Sequence, residues 1–270
     1  MFKKENLFKT ILKIVTIIFA IIGFIFVMVF CAMQFGWLNV PGTIKDRNSF
    51  FSEIKKKPNF AFTPEWGVLG DAFLKDKEVI QKVSSETDIS ERMLIATITP
   101  EQLRFFTSNR ESYKKYFEPL KILGVMSQFS LGVSGMKPET AIFIEKNLTD
   151  KQSPFYLGKK YEKILAYQEG EDRNAVLYQR LTNPKDRYYQ YLYTALFIKQ
   201  IEKQWNDAGY NVENKPEIIA TIFNLGFDKS KPKRNPVLGG AEVSLGGETY
   251  IFGELAYQFY FSDELKSYFP

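Results

Sequence analysis

The longest apolar run of the chain places the first constraint on its fold. From Ile14 to Leu38 there is no charged residue, and a membrane-spanning helix needs only ~20 apolar residues. A cleaved signal peptide is the alternative, with an apolar region of ~7–15 residues followed by a site of small residues. Residues 30–36 (FCAMQFG) match such a site poorly. The run therefore favours an uncleaved transmembrane anchor.

The lysines that flank this run predict its orientation. Four lysines precede it and the next follows only at Lys45, so the N-terminus is expected in the cytoplasm and the C-terminal part outside. The expected segments are a cytoplasmic N-terminus (1–13), a transmembrane anchor (14–38), a connector with a lead-in helix (39–85) and a folded domain (86–270). We expect a single-pass protein of the cytoplasmic membrane that contacts the lipid bilayer through this helix.

The amino-acid composition limits the kinds of catalytic and metal sites that this chain can form. The chain has no histidine, and its one cysteine, Cys31, lies in the apolar run. Histidine-based nucleophilic triads and zinc sites built on imidazole or thiolate are therefore excluded, and we expect no metal and no cofactor. Beyond residue 39 the net charge is only +2, which gives no reason to expect nucleic acid. Protein partners are left open. Any catalysis would have to rely on carboxylates, tyrosines, lysines or a metal bound by carboxylates.

Apolar spacing and helix-end residues predict a mainly α-helical domain. One β-hairpin is expected, with Gly246-Gly247 at its turn. Helices are expected near 70–84, after Asp88 or Ser90, and over 111–123, 138–148, 156–167, 183–207, 215–226 and 254–261.

Glu101 is the candidate general acid. It follows the apolar run Met93–Ile98 and precedes Leu103, Phe105 and Phe106, so a partly buried carboxyl group is plausible, as an acid that protonates a glycosidic oxygen requires. The alternative is structural. Thr-Pro-Glu-Gln at 99–102 also has the pattern of a helix start, with the glutamate in the first turn.

Two later segments follow Glu101 in a recognisable order. Gly132–Ala141 is GVSGMKPETA, and residues 223–226 are FNLG. Each has a structural alternative, a Gly/Pro turn before a helix for the first and a helix C-terminus for the second. Taken together, the glutamate and these segments resemble the lytic transglycosylases of the lysozyme-like superfamily, which place G-L-M-Q-L-M-P-x-T-A and A-Y-N-x-G motifs after a single catalytic glutamate. The sequence is similar to what a divergent member of this superfamily would have.

The resemblance implies a lysozyme-like helical domain that cleaves the glycan strands of peptidoglycan, with Glu101 as the catalytic residue. The implied substrate-binding residues are Ser130, Gly132, Ser134, Gly135, Phe223 and Asn224. Gly135 stands where the motif has glutamine, and Phe223 where it has tyrosine. Ser130 and Ser134 are candidates to replace the lost hydrogen-bonding group.

A single acid suits the lyase reaction, in which the same glutamate protonates the leaving oxygen and then accepts the proton of the muramic acid O6 hydroxyl. An inverting hydrolase would need a second carboxylate as base. Two other hypotheses stay open. One is a catalytically inactive lysozyme-like module that binds or scaffolds the wall, and the other is a helical domain of unrelated fold.

Overall fold

The computed structural model describes residues 13–25, 27–28, 58–107 and 133–270. The chain divides into two compact units, Met1–Val40 and Pro41–Pro270. In the first unit, the described residues are helical. The predicted helix over 111–123 and the predicted site residues Ser130 and Gly132 lie outside the described residues.

The prediction of a transmembrane anchor is wrong. Across the described ranges, no helix combines the length and the apolar character that crossing a bilayer requires. Residue 26 and residues 29–38 of the predicted span lie outside those ranges. The expected single-pass localisation, with a cytoplasmic N-terminus, was derived from this anchor and is corrected with it. The expected bilayer contact rested on the same helix and has no other support.

The second unit is mainly helical, with one small antiparallel sheet among its described residues. Its α-helices are α1 (Pro64–Lys75), α2 (Lys77–Thr87), α3 (Glu91–Thr107), α4 (Pro138–Thr149), α5 (Arg173–Thr182), α6 (Tyr188–Asp207), α7 (Pro216–Leu225) and α8 (Phe252–Phe261). Short 3₁₀ turns occupy Asn59–Phe62, Lys159–Tyr161 and Phe227–Lys229.

The predicted hairpin is confirmed. Strands β1 (Glu242–Leu245) and β2 (Glu248–Ile251) pair in antiparallel register, with Glu242 opposite Ile251. Gly246 and Gly247 have φ values of +59° and +82°, as a tight two-residue turn between twisted strands requires.

Helix α3 is the centre of the unit. It packs against α1, α2, α6, α7, α8 and β1. Six of its apolar residues are buried: Met93, Leu94, Ile95, Ala96, Ile98 and Leu103. Ser90 begins the helix, since its hydroxyl accepts a hydrogen bond from the Met93 amide at 3.1 Å. A helix buried on every side is stabilised mainly by packing.

The interpretation of the Thr99–Gln102 segment as a helix start is wrong. The helix neither ends nor starts there, because α3 continues through Pro100 to Thr107. Pro100 cannot donate to the carbonyl one turn earlier. Next to this interruption, the hydroxyls of Thr97 and Thr99 donate to the carbonyls of Met93 and Ile95. Glu101 therefore lies inside the central helix, one residue after its proline.

Three other helix predictions need correction. The helix expected near 70–84 is two helices that meet at Asp76. The helix expected over 156–167 is only a 3₁₀ turn, and the buried Arg180 guanidinium satisfies the carbonyls of Leu165 and Ala166 instead. The long helix begins at Tyr188 rather than at Asn183. The reason is a turn at Asn183, whose side-chain oxygen accepts hydrogen bonds from the amides of Lys185 and Asp186.

Candidate active site

The Glu101 carboxyl group lies in the interior of the second unit, and Glu101 is only 4 % exposed. Both of its oxygens accept hydrogen bonds from Nη2 of Arg104, at 2.8 Å for Oε1 and 2.6 Å for Oε2. The two residues are three apart on α3, which places their side chains on the same face of the helix. Glu101 is thus a buried carboxylate held in an ion pair by its own helix.

Gly135 lies directly against this carboxyl group. A Cβ atom placed on Gly135 would be 2.5 Å from Cγ, 2.6 Å from Oε1 and 2.8 Å from Cδ of Glu101. Gly135 also has a φ of +60°, in the left-handed region that favours glycine. The Gly-rich segment and the candidate acid are therefore in contact, although 34 positions separate them in the sequence.

Two glutamines fix the turn that carries Gly135. The Val133 amide donates to Oε1 of Gln190 at 2.7 Å, and the Val133 carbonyl accepts from Nε2 of Gln102. Gln190 is buried and also donates to the Asn183 carbonyl at 2.8 Å. The turn is therefore attached to α3 on one side and to α6 on the other, which holds the Gly135 backbone in place.

Ser134 is part of the same turn but does not face solvent. It is 1 % exposed, and within the described part of the chain its hydroxyl has no hydrogen-bond partner. A buried hydroxyl without a partner is unusual in folded proteins. The structure thus places Ser134 beside Gly135 but gives it no contact that replaces the motif's glutamine.

Phe223 and Asn224 are linked to the Glu101–Arg104 pair only indirectly, through the side chain of Phe252. The Arg104 guanidinium lies 6.0 Å from the centre of the Phe252 ring. Phe252 in turn packs in a small cluster with Ala220 and Ala256, against which the half-buried Phe223 rests. Phe223 also makes an edge-on contact with Phe197, with ring centres 5.1 Å apart. Phe223 thus packs against the cluster that contains Phe252, the ring closest to Arg104 that the described contacts give.

Asn224 has a structural contact at the end of α7. Its Oδ1 accepts a hydrogen bond from the Ala241 amide at 2.9 Å. The same loop passes so close to α8 that a Cβ on Gly240 would lie 2.7 Å from Cβ of Phe252. Asn224 therefore holds the loop that supports Phe252.

Pro138, the first residue of α4, begins that helix as the sequence predicts. Ala141 and Ile144 of this helix are completely buried.

Sequence reasoning missed Arg104, Gln102, Gln190 and Phe252. The i, i+3 spacing of Glu101 and Arg104 is a signal that could have identified the ion pair, had the helix been expected to continue past Pro100. For Gln190 and Phe252 no local pattern exists, since each reaches the site from a distant helix.

No family model, no curated protein and no solved structure matches this chain. The resemblance to lytic transglycosylases is thus carried by residues and their arrangement alone.

Proposed function

We propose that this protein cleaves peptidoglycan glycan strands as a lytic transglycosylase, with Glu101 as its single general acid and base. The observation that carries the proposal is the contact between Gly135 and the Glu101 carboxyl group. The motif order in the sequence does not require this contact. An accidental resemblance would leave the two segments anywhere in the fold.

The third segment supports the same proposal. Phe223 packs against the cluster that contains Phe252, whose ring centre lies 6.0 Å from the Arg104 guanidinium. Of the two later segments, the first contacts Glu101 and the second lies in a cluster beside its ion-pair partner, which supports the proposal.

The proposed reaction returns the glutamate to its starting state. The Glu101 carboxylic acid gives its proton to the glycosidic oxygen, and the bond from that oxygen to C1 of the muramic acid breaks with its electron pair left on the oxygen. The resulting carboxylate then accepts the proton of the O6 hydroxyl, while O6 bonds to C1. The products are a 1,6-anhydro sugar and a free hydroxyl group, and no water is consumed.

A second candidate function is a lysozyme-like module that binds the wall without cleaving it. The observation that favours this function is that both Glu101 oxygens accept hydrogen bonds from Arg104. In this arrangement the carboxyl group is held in an ion pair by its own helix. Cleavage requires a proton on this group, whereas binding alone does not.

The test compares the full-length chain with Glu101→Gln on purified peptidoglycan. Soluble anhydromuropeptides, identified by mass spectrometry, are expected from the parent. Glu101→Gln should release them about 10²–10⁴ times more slowly, the usual contribution of a general acid. Glu169→Gln is the matched control, because Glu169 is exposed and should leave the rate unchanged.

Other results of this experiment would indicate a different reaction or no reaction. Reducing ends without anhydro sugars would indicate hydrolysis. Co-sedimentation with peptidoglycan without release of fragments would support the binding module. Release that is equally fast in Glu101→Gln would remove Glu101 from the mechanism.

A further inference from the structure

The loop between α7 and β1 begins and ends beside the same helix. At the end of α7, Oδ1 of Asn224 accepts a hydrogen bond from the Ala241 amide at 2.9 Å. Thr221, one turn earlier, accepts from the Gly239 amide at 2.8 Å and donates to the Gly239 carbonyl at 3.2 Å. Residues 226–240 therefore form an Ω-loop, a compact surface loop with closely spaced ends. Loops of this kind frequently carry function.

The middle of the Ω-loop is restrained by two buried residues. Ser230 is buried, and its hydroxyl accepts a hydrogen bond from the Trp205 indole nitrogen at 2.9 Å and donates to Gln204 of the same helix. Six residues later, Pro236 is also buried. Pro232 and Pro236 have a fixed φ, and each favours extended backbone in the residue before it. The short stretch between Ser230 and Pro236 therefore has little freedom to change its shape.

This stretch carries an unusual concentration of positive charge. Its basic segment, Lys231–Arg234, has the sequence KPKR. Lys231, Lys233 and Arg234 are exposed, and within the described part of the chain they form no ion pair. The neighbouring Lys229 pairs instead with Asp228 at 2.7 Å. Since residues 40–270 have a net charge of only +2, the positive charge is concentrated in this loop and not spread over the whole unit.

A row of like charges on a restrained backbone is suited to binding an extended anion. The three cations repel one another, and the restrained backbone cannot relieve this repulsion by spreading them apart. A polymer with one negative charge in each repeat can neutralise several of them together, and it releases condensed counterions when it does so. Phosphate groups suit the site, because ammonium and guanidinium groups donate charge-assisted hydrogen bonds to phosphate oxygens.

Two other phosphate-bearing partners fit this surface less well. Proteins that bind single-stranded nucleic acid use aromatic side chains that stack on the bases. The basic segment has no aromatic residue, and the nearby Phe227 is only 9 % exposed. A bilayer surface is bound by cations together with apolar side chains that enter its interface. Across residues 226–240, all of which the structure describes, no large apolar side chain is exposed.

We propose that the basic segment binds a linear polyol-phosphate polymer, a phosphodiester chain without bases. Lys231, Lys233 and Arg234 each pair with a phosphate of this chain. Because the Ω-loop already holds the three residues in place, binding requires little further ordering of the protein. The inference goes beyond the proposed function and does not rest on it, since Glu101 takes no part in this contact.

The experiment titrates a fluorescently labelled glycerol phosphate oligomer with the full-length chain and measures the anisotropy at several salt concentrations. Neutralising three phosphates should give a slope of about −2 for the logarithm of the binding constant against the logarithm of the salt concentration. The triple variant Lys231→Gln, Lys233→Gln, Arg234→Gln should bind about 10²-fold more weakly at ~0.1 M salt, and its slope should fall towards zero.

The matched control removes three exposed lysines from another part of the same unit. Lys151→Gln, Lys159→Gln, Lys163→Gln has the same net charge as the triple variant and should keep the affinity of the parent. The double variant Lys231→Arg, Lys233→Arg keeps the charges of the basic segment and should also bind like the parent. A control that loses as much affinity as the triple variant would overturn the inference, because net charge rather than the loop would then determine binding.

Other results would overturn the inference as well. They are no binding of the oligomer by the parent, or an affinity that the triple variant retains. Tighter binding of the parent to single-stranded DNA with the same number of phosphates would make nucleic acid the partner instead. Binding only to vesicles that contain an anionic phospholipid would make a bilayer the partner. Glu101→Gln should bind the oligomer as tightly as the parent, so a failure of the proposed function leaves this result unchanged.

Discussion

The contact between Gly135 and Glu101 leads to a prediction of defined size for Gly135→Ala. The substitution has two costs. A non-glycine residue in the left-handed region costs about 1–2 kcal/mol. Placing a methyl group 2.5–2.8 Å from three atoms of Glu101 costs about 1–3 kcal/mol more, the usual range for an overpacked interior. The free energy of unfolding should therefore fall by about 2–5 kcal/mol.

The glutamate can relieve the clash by moving, because the nearest atoms are its own Cγ, Cδ and Oε1. Such a movement displaces the carboxyl group from the position in which Arg104 holds it. In the proposed enzyme, Gly135→Ala should therefore also reduce cleavage, since the acid is displaced.

Urea unfolding of the full-length chain measures the change, and Gly209→Ala is its matched control. Gly209 has a φ of +82°, and nothing lies within 4 Å of its added Cβ. The control thus carries the backbone cost without the clash and should lose only about 1–2 kcal/mol. The difference between the two variants is the contribution of the contact with Glu101.

A double-mutant cycle tests that the clash is with Glu101 and with nothing else. Glu101→Ala removes all three atoms that the new methyl group would meet. In this background Gly135→Ala should cost no more than Gly209→Ala does in the parent, which corresponds to a coupling of about 1–3 kcal/mol. The reasoning is refuted if the two glycine variants are equally stable, or if the cost of Gly135→Ala is the same with and without Glu101.

Two further predictions concern stability away from the site. Arg92 is buried and donates to five backbone carbonyls near the C-terminus, those of Phe259, Tyr260, Ser262, Glu264 and Phe269. Arg92→Met should lower the free energy of unfolding in urea by about 3–5 kcal/mol, since it leaves buried acceptors without donors, and a loss below 1 kcal/mol would contradict this role. Burial and the nearby Glu213 raise the pKa of Glu202 to about 7, from an ordinary value of 4.5. The folded state then holds a proton that the unfolded state has released, so stability should fall as pH rises from about 4.5 to about 7. Glu202→Gln should flatten this slope and raise stability at pH 8 by about 1–3 kcal/mol; a slope identical to that of the parent in urea titrations at pH 5 and pH 8 would refute the assignment.

The parts of the fold that could be predicted from sequence are those with local causes. Helices α4 and α7 each begin at a proline, which suits a first helical position. Strands β1 and β2 are joined by two glycines with positive φ. In each case the residues that determine the element lie within or next to it, so a short window of sequence is sufficient.

The continuation of α3 through Pro100 could not be predicted in this way. An interior proline costs a helix about 3 kcal/mol, and a local interpretation therefore ends or starts a helix there. Packing offsets this cost, because apolar residues on both sides of the proline, such as Ile98 and Leu103, are completely buried. That burial depends on five other helices and a strand, none of which a local pattern identifies.

The site was predictable to a similar degree. The motif order singled out Glu101 and Gly135, which are in contact. The expectation that a serine replaces the missing glutamine has no support from Ser134, whose hydroxyl is buried without a partner among the described residues. The residues that do hold Glu101 and its neighbouring turn are Arg104, Gln102 and Gln190, and the last of these comes from a helix more than 50 residues away.

The geometry changes the interpretation of the departure at position 135. From the motif alone, glycine at this position means that the hydrogen-bonding group of the motif's glutamine is missing. In the structure, any side chain there would overlap the glutamate, so glycine is required for Glu101 to lie where it does. The polar group that holds the carboxylate comes from α3 itself, one turn after Glu101. Gly135 and Arg104 therefore depend on each other, since the glycine leaves room for the conformation that the arginine holds. Restoring glutamine at 135 would not restore the motif's site but would displace the glutamate from its arginine.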